Sequence, residues 1–201
     1  MKKVGIIDCD VGNFFSLENA LKHLNIKFII SKEKNELKNC SHFILPGVGA
    51  FSHAMKSLKN SKMDKFIKIA VSENIPLLGI CLGMQLLFEK SNEFGNHEGL
   101  SLIKGKVVKL KPRNFKIPII GWQKIYTNKK NFLKSWDQKF VYLVHSYECI
   151  PLKNQYIISS YKVGKKKIVC AVKKKNIIGV QFHPEKSSFE GLKIFKKFIN
   201  L

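Results

Sequence analysis

Four short apolar runs alternate with helical periodicities between Val4 and Phe88, and few folds tolerate that alternation. Val4 to Ile7 ends in Asp8. Lys27 to Ile30 runs into a polar loop. His42 to Leu45 is stopped by Pro46-Gly47-Val48-Gly49, and Pro76 to Ile80 forms the fourth run. Between the first two runs, Phe14, Leu17, Leu21 and Leu24 recur at helical spacing, with Glu18 and Lys22 among them. Met63 to Val71 and Leu82 to Phe88 read as further helices. Strands separated by helical crossovers pair in parallel, so the expected class is α/β with a doubly wound, mostly parallel sheet.

The second half changes character. Lys106–Leu110, Trp122–Tyr126, Phe140–Ser146, Tyr156–Tyr161, Ile168–Val172 and Ile177–Phe182 read as strands. Lysine clusters at 165–167 and 173–175 look like hairpin ends. From Ser187 to Leu201, Phe189, Leu192, Phe195 and Phe198 stand three apart on one helical face, with Ser187 or Ser188 as N-cap. No linker or repeat interrupts the chain, so one domain over residues 1–201 with an added β-rich second half is expected.

Composition closes off several classes of function. Hydrophobic residues make up 45% and charged residues 25%, as in an ordinary globular chain rather than a disordered one. No apolar stretch is long enough to span a membrane, and the N-terminus reads as a first strand rather than a signal peptide. The formal charge is +22, which raises the question of nucleic acid or an acidic surface. Arg113 is the sole arginine among 36 basic residues, however. Nucleic-acid readers rely on arginine for bidentate contacts, so a solvated lysine surface is expected, with no specific nucleic acid and no membrane as partner. Cys9, Cys40, Cys81, Cys149 and Cys170 form no C-x-x-C pair, which suits reduced thiols in the cytoplasm. No metal or cofactor is expected.

The segment Gly79-Ile80-Cys81-Leu82-Gly83 carries the chemistry. An apolar strand runs into it and a helix leaves it, the thiol counterpart of the G-x-S-x-G nucleophile elbow. The glycines remove Cβ atoms that would clash across so sharp a turn. Cys81 then stands at a helix start, where thiolate is favoured, and the N–H of Leu82 points to where an oxyanion forms.

A thiol nucleophile needs a base, and the base needs an orienting group. His23, His42, His53 and His97 have no carboxylate at useful spacing. His183 lies in Gln181-Phe182-His183-Pro184-Glu185, directly after an apolar strand. Pro184 keeps His183 extended, and residues two apart on extended chain share a side, so Glu185 reaches one ring nitrogen while the other faces a thiol. The expected catalytic set is Cys81, His183 and Glu185.

Gly79 to Phe88 with Gln181 to Ser187 resembles the class I (triad) glutamine amidotransferases. Pro46-Gly47-Val48-Gly49-Ala50-Phe51, Val144-His145-Ser146-Tyr147 and Gly121-Trp122 narrow the resemblance to the glutaminase subunits of imidazole glycerol phosphate synthases. It runs from residue 4 to residue 198. The resemblance implies a flavodoxin-like sheet and hydrolysis of glutamine to glutamate and ammonia. It implies an oxyanion hole at Val48, Gly49 and Leu82, and glutamine binding by Gly49, Gln85, Glu93, His145, Ser146 and Tyr147. It also implies a heterodimer with a HisF-type (β/α) barrel that accepts the ammonia, met at Asn13, Trp122 and Lys186, with low activity when the partner is absent.

Two segments depart from the family pattern. The usual Asp-Tyr-Gly-x-Gly-Asn is here Asp8-Cys9-Asp10-Val11-Gly12-Asn13, and Pro-His-x-Gly-Trp-Asn is Pro118-Ile119-Ile120-Gly121-Trp122-Gln123. Both fall at the partner contact, so a related protein feeding ammonia to another amidotransferase, such as one acting on a surface-polysaccharide sugar, is the alternative. A stand-alone cysteine hydrolase and a basic binding module are the competing classes. Gln85 and the compact His145-Ser146-Tyr147 segment argue against the first, and the lack of aromatic-interleaved basic motifs against the second.

Overall fold

The computed structural model describes residues 2–111, 116–127 and 132–201. β1 (Val4–Ile7), β2 (Phe28–Ser31), β3 (His42–Leu45) and β4 (Leu77–Ile80) alternate with α1 (Phe14–His23), α2 (Lys34–Leu37), α3 (Phe51–Asn60) and α4 (Met63–Ser72), and α5 (Leu82–Leu86) follows β4. Strands then dominate: β5 (Phe88–Ser91), β6 (His97–Glu98), β7 (Ile103–Lys109), β8 (Ile119–Thr127), β9 (Phe140–His145), β10 (Tyr147–Pro151), β11 (Ile157–Val163), β12 (Lys166–Lys174) and β13 (Ile177–Val180). The closing helix is α6 (Ser188–Ile199). No helix of the described residues is long and apolar enough to cross a membrane.

The large sheet has nine strands in the order β2-β1-β3-β4-β13-β12-β11-β8-β9. Its first half is parallel throughout, up to the β4–β13 pair. From β13 onward every pairing is antiparallel. The expected α/β sheet with a β-rich extension is therefore present. A second, four-stranded sheet in the order β10-β7-β5-β6 lies beside it.

The parallel strands read as unbroken apolar runs because both their faces are covered. Val4, Ile6, Ile44, Leu78, Ile80, Ile178 and Val180 meet α1 and α6 on one side. Ile7, Phe43, Leu45, Leu77 and Ile177 meet α3, α4 and the small sheet on the other. Helix α6 buries Ile194, Phe195 and Phe198, and such side chains each contribute roughly 1.5–3 kcal/mol on burial. That docking fixes the chain segment just before α6.

Several expectations need correcting. The helix after Cys81 ends at Leu86 rather than Phe88, because Phe88 begins β5 and pairs with β7. Helix α3 was not foreseen, although Phe51, Ala54, Met55 and Leu58 stand at helical spacing and are all buried. The run Phe140–Ser146 is followed by a second strand. The chain bends at Ser146, leaving the large sheet at β9 and entering the small one at β10.

Helix α5 lies unusually close to the sheet. A Cβ on Gly83 would stand 1.7 Å from the carbonyl oxygen of Leu45, and one on Gly79 would stand 2.7 Å from that of Gly83. Both obstacles are backbone and cannot step aside. Gly83→Ala is expected to cost about 3 kcal/mol or more, or to prevent folding. Met84→Leu, a volume-conserving change next to it, is expected to cost less than about 1.5 kcal/mol. Denaturant midpoints of the two variants check this, and a near-parental midpoint for Gly83→Ala would refute the close approach.

Candidate active site

The C-terminal ends of the parallel strands converge on one edge, where ligands bind in open α/β sheets. Cys81 is the first residue past β4. Its N–H donates to the Val180 carbonyl on β13 at 2.8 Å, and its backbone stands at φ 54°, ψ −109°. A positive φ on a residue with a Cβ costs on the order of 1–3 kcal/mol and persists only where neighbours hold it. The elbow read in the sequence is thus present. The thiol is not freely exposed, however; it is buried at 6% and reached through a cavity. Gln181 Nε2 stands 3.6 Å from its Sγ, and the Val144 carbonyl 3.8 Å.

His183 lies three residues past β13, extended at φ −97°, ψ 99° as Pro184 requires. Its Nδ1 is 2.7 Å from Glu185 Oε1. The carboxylate only accepts, so Nδ1 carries a proton and the other ring nitrogen is left for Cys81. Glu185 makes this contact from a 3-10 turn at Pro184–Lys186 rather than from extended chain, a correction to the expected geometry. Burial disfavours a charged ring, but hydrogen bonds and charge from Cys81 and Glu185 outweigh it and raise His183 to about 10. The segment is pinned from behind. Ser187 Oγ donates to the His183 carbonyl at 2.6 Å and accepts the Tyr142 N–H at 3.0 Å.

A cavity of about 430 Å³ opens over Cys81 and His183. Val48, Gly49, Leu82, Gln85, Glu93, His145, Ser146, Tyr147 and Lys186 all line it, so one pocket gathers every residue expected at the oxyanion hole and the glutamine site. Gln85 is one turn along α5 from Cys81, with its Nε2 donating to Gln181 Oε1 at 3.1 Å. The buried Glu93 carboxylate accepts the Phe51 N–H at 2.6 Å, so it caps α3 as well as lining the pocket.

His145 lines the pocket with both ring nitrogens already engaged. Its Nδ1 stands 2.7 Å from the Tyr147 carbonyl, and its Nε2 stands 2.7 Å from the Tyr161 hydroxyl. The carbonyl can only accept, so Nδ1 carries the proton and Nε2 accepts from tyrosine. Burial lowers the ring to about 4. The ring braces the bend at Ser146.

The oxyanion donors are also engaged. The Leu82 N–H donates to the Gly47 carbonyl at 3.3 Å, and the Val48 N–H donates to the Val11 carbonyl at 2.6 Å. The Gly47–Val48 peptide thus covers the Leu82 N–H at rest. Gly49, at φ 113°, supplies the backbone freedom beside it.

Asn13 and Lys186 are exposed and line a small cleft behind the His183–Glu185 pair. Trp122 is 49% exposed, edge-on to Tyr142 at 5.9 Å, and lies outside the pocket. Sequence reasoning missed Gln181, Val11, Tyr161 and Lys109 as site residues. Gln181 stood inside the quoted histidine motif, and a buried polar residue within an apolar strand end was the signal available. Lys109 lines the pocket. Among the described residues, no group of three His, Cys, Asp or Glu side chains is placed to hold a metal ion.

The glutamine amidotransferase class-I family matches residues 5–201. Among solved structures, a glutamine amidotransferase aligns with 98% of this chain and 99% of its own, at TM-score 0.78 and 17% identity. PurLQS from Thermotoga maritima aligns with 99% of this chain and 98% of its own, at TM-score 0.75 and 16% identity. At such identities the likeness is one of fold. Fold and family match together define a class I glutamine amidotransferase, a glutaminase. The imidazole glycerol phosphate synthase subunit HisH of Bacillus subtilis is 41% identical, covering 98% of this chain and 96% of its own. That of Lactococcus lactis is 41% identical, covering 99% and 98%. The chain belongs to the HisH family.

The histidines predict a pH response. His42 is buried with Nε2 unpartnered, and burial lowers it, like His145, to about 4. Both rings stay neutral in the folded chain while the unfolded chain takes up protons below about 6.5. Stability is therefore lost as pH falls from about 6.5 to about 4. Denaturant titrations of the parent and His42→Leu at pH 7 and pH 5 are expected to show a smaller loss in the variant. Equal losses would remove His42 from the account.

Proposed function

We infer that this chain is the glutaminase subunit of an imidazole glycerol phosphate synthase, and so serves histidine biosynthesis. Cys81, His183 and Glu185 carry the hydrolysis. The observation that carries this reading is the line from Glu185 through His183 to Cys81 at the floor of the cavity, in a chain 41% identical to HisH subunits. The five cysteines are all unpaired and buried, in keeping with a reducing cytoplasm.

His183 takes the thiol proton, and the Cys81 sulfur attacks the side-chain amide carbon of glutamine. The carbonyl oxygen becomes an oxyanion. The His183 imidazolium then gives its proton to the departing nitrogen, so ammonia leaves and a thioester remains. Neutral His183 next takes a proton from water, whose oxygen attacks the thioester. The second oxyanion collapses, Cys81 leaves as thiolate, and glutamate is released. Glu185 keeps the ring oriented and stabilises its charge throughout. Glu93 and the Gln85 amide hold the substrate, Glu93 at its ammonium group, with Gly49 and the backbone of His145 to Tyr147 alongside.

Both oxyanion stages need donors that are engaged at rest. Turning over the Gly47–Val48 peptide would uncover the Leu82 N–H and swing the Val48 N–H toward the pocket. The peptide is held through Val11, two residues from Asn13. Docking of a synthase barrel at Asn13 and Lys186 is therefore coupled to activation, and ammonia passes into that barrel. A surface suited to docking lies nearby. On β8 and β9, Ile120 pairs with Val144, Trp122 with Tyr142 and Lys124 with Phe140. Ile120, Trp122 and Phe140 are about half exposed or more, forming an apolar ladder that ends at Val144 in the cavity wall.

One missing oxyanion donor costs about 10²–10³ in rate. Glutamate release by the chain alone is thus expected to be at least about 10²-fold slower than with a HisF-type partner. Cys81→Ala is expected to abolish it in both states; partner-stimulated turnover surviving that change would remove the nucleophile. Trp122→Ala is expected to weaken partner binding by about 1–2 kcal/mol in titration calorimetry, leaving unstimulated turnover unchanged. Parental affinity would take Trp122 out of the interface.

A further inference from the structure

We propose that Gln181 is an additional catalytic residue of this glutaminase, its side-chain N–H holding the Cys81 sulfur in the thiolate form; this rests on Cys81 being the nucleophile. β4 and β13 pair in parallel, with Ile80 opposite Val180, so Cys81 and Gln181 are the next residues off two adjacent strand ends. Gln181 is fully buried, and its backbone N–H is fixed to the Cys170 carbonyl at 2.8 Å. Its amide orientation follows from its neighbours. Gln181 presents Oε1 to the Gln85 amide N–H at 3.1 Å. The Gln181 amide nitrogen must then face the other way, where Sγ stands at 3.6 Å.

The other contacts of the sulfur explain why such a donor matters. The Val144 carbonyl, 3.8 Å away, accepts from a thiol and repels a thiolate. His183 supports the thiolate only while its ring is protonated. Gln181 is a neutral, immobile donor that stays in place through every protonation state of the imidazole. It stabilises the sulfur anion before attack, and again when the thiolate departs in the second half of the reaction. A purely structural role would be met by the Gln85 bond alone; the second half of the amide, aimed at the reacting atom, assigns the chemistry.

The test combines glutamine turnover by the complex with its barrel partner and the pH profile of Cys81 alkylation by iodoacetamide. Gln181→Leu removes the donor. Gln181→Glu keeps the volume and the acceptor for Gln85 but faces the sulfur with oxygen. Each is expected to move the alkylation midpoint up by about one pH unit and to lower kcat about tenfold, with KM within about twofold. An unchanged midpoint in either folded variant overturns the proposal. If both variants fail to fold, Gln85→Leu, which frees the amide to rotate, must shift the midpoint in the same direction, and a parental midpoint there overturns it too. Cys81→Ala separates the two readings. Turnover surviving in Cys81→Ala removes the nucleophile itself, whereas loss of turnover there with a parental midpoint in Gln181→Leu removes only the role of Gln181.

Discussion

A side chain on residue 83 would occupy the space of the Leu45 carbonyl oxygen. That backbone-to-backbone approach of α5 to β3 is the contact on which the site rests. It brings the start of the helix down onto the strand ends, and the chain can enter it only by turning sharply at Cys81, at φ 54°. The strain of that turn, on the order of 1–3 kcal/mol, is held by the Cys81 N–H bond to Val180 and by the buried helix that follows. Cys81, its neighbour Gln85 and the covered Leu82 N–H all take their positions from it.

The proposed base is held by a separate device. His183 is gripped by its ring, through Glu185, and by its backbone, through Ser187 and Tyr142. Ser187 occupies the N-cap position of α6, yet its hydroxyl serves the His183 carbonyl and the Tyr142 N–H rather than the helix. Burial of Phe195 and Phe198 under the sheet therefore reaches the active site through one hydroxyl group. His145 makes the contrast. Both rings are buried, but a carboxylate and a thiol beside one raise it to about 10, while a carbonyl and a phenol beside the other leave it neutral and at about 4. One ring is a proton carrier, and the other braces a bend.

The site combines readiness with restraint. Cys81 lies beside His183, which Glu185 holds by its Nδ1, while the Gly47–Val48 peptide closes over the Leu82 N–H. The restraint is carried by two single hydrogen bonds, from Leu82 to Gly47 and from Val48 to Val11.

Cys81, His183 and Glu185 could be picked out before any fold was known because each sits in a short motif whose local geometry follows from its own residues. Two glycines make an elbow at Cys81, and a proline spaces His183 from Glu185. The parallel half of the sheet was legible for a similar reason, since strands buried on both faces must be apolar throughout. Helix α3, though not foreseen, was equally readable from the spacing of Phe51, Ala54, Met55 and Leu58. The remainder depended on contacts between residues far apart in the chain. That Phe88 leaves its helix for a small second sheet, that His145 spends both nitrogens on Tyr147 and Tyr161, and that Val48 is tied to Val11 are all outcomes of packing. Residue identity names the groups able to do chemistry. Which of their hydrogen-bonding atoms stay free is settled when distant segments meet, because each donor or acceptor drawn away from water must find a partner wherever the fold supplies one.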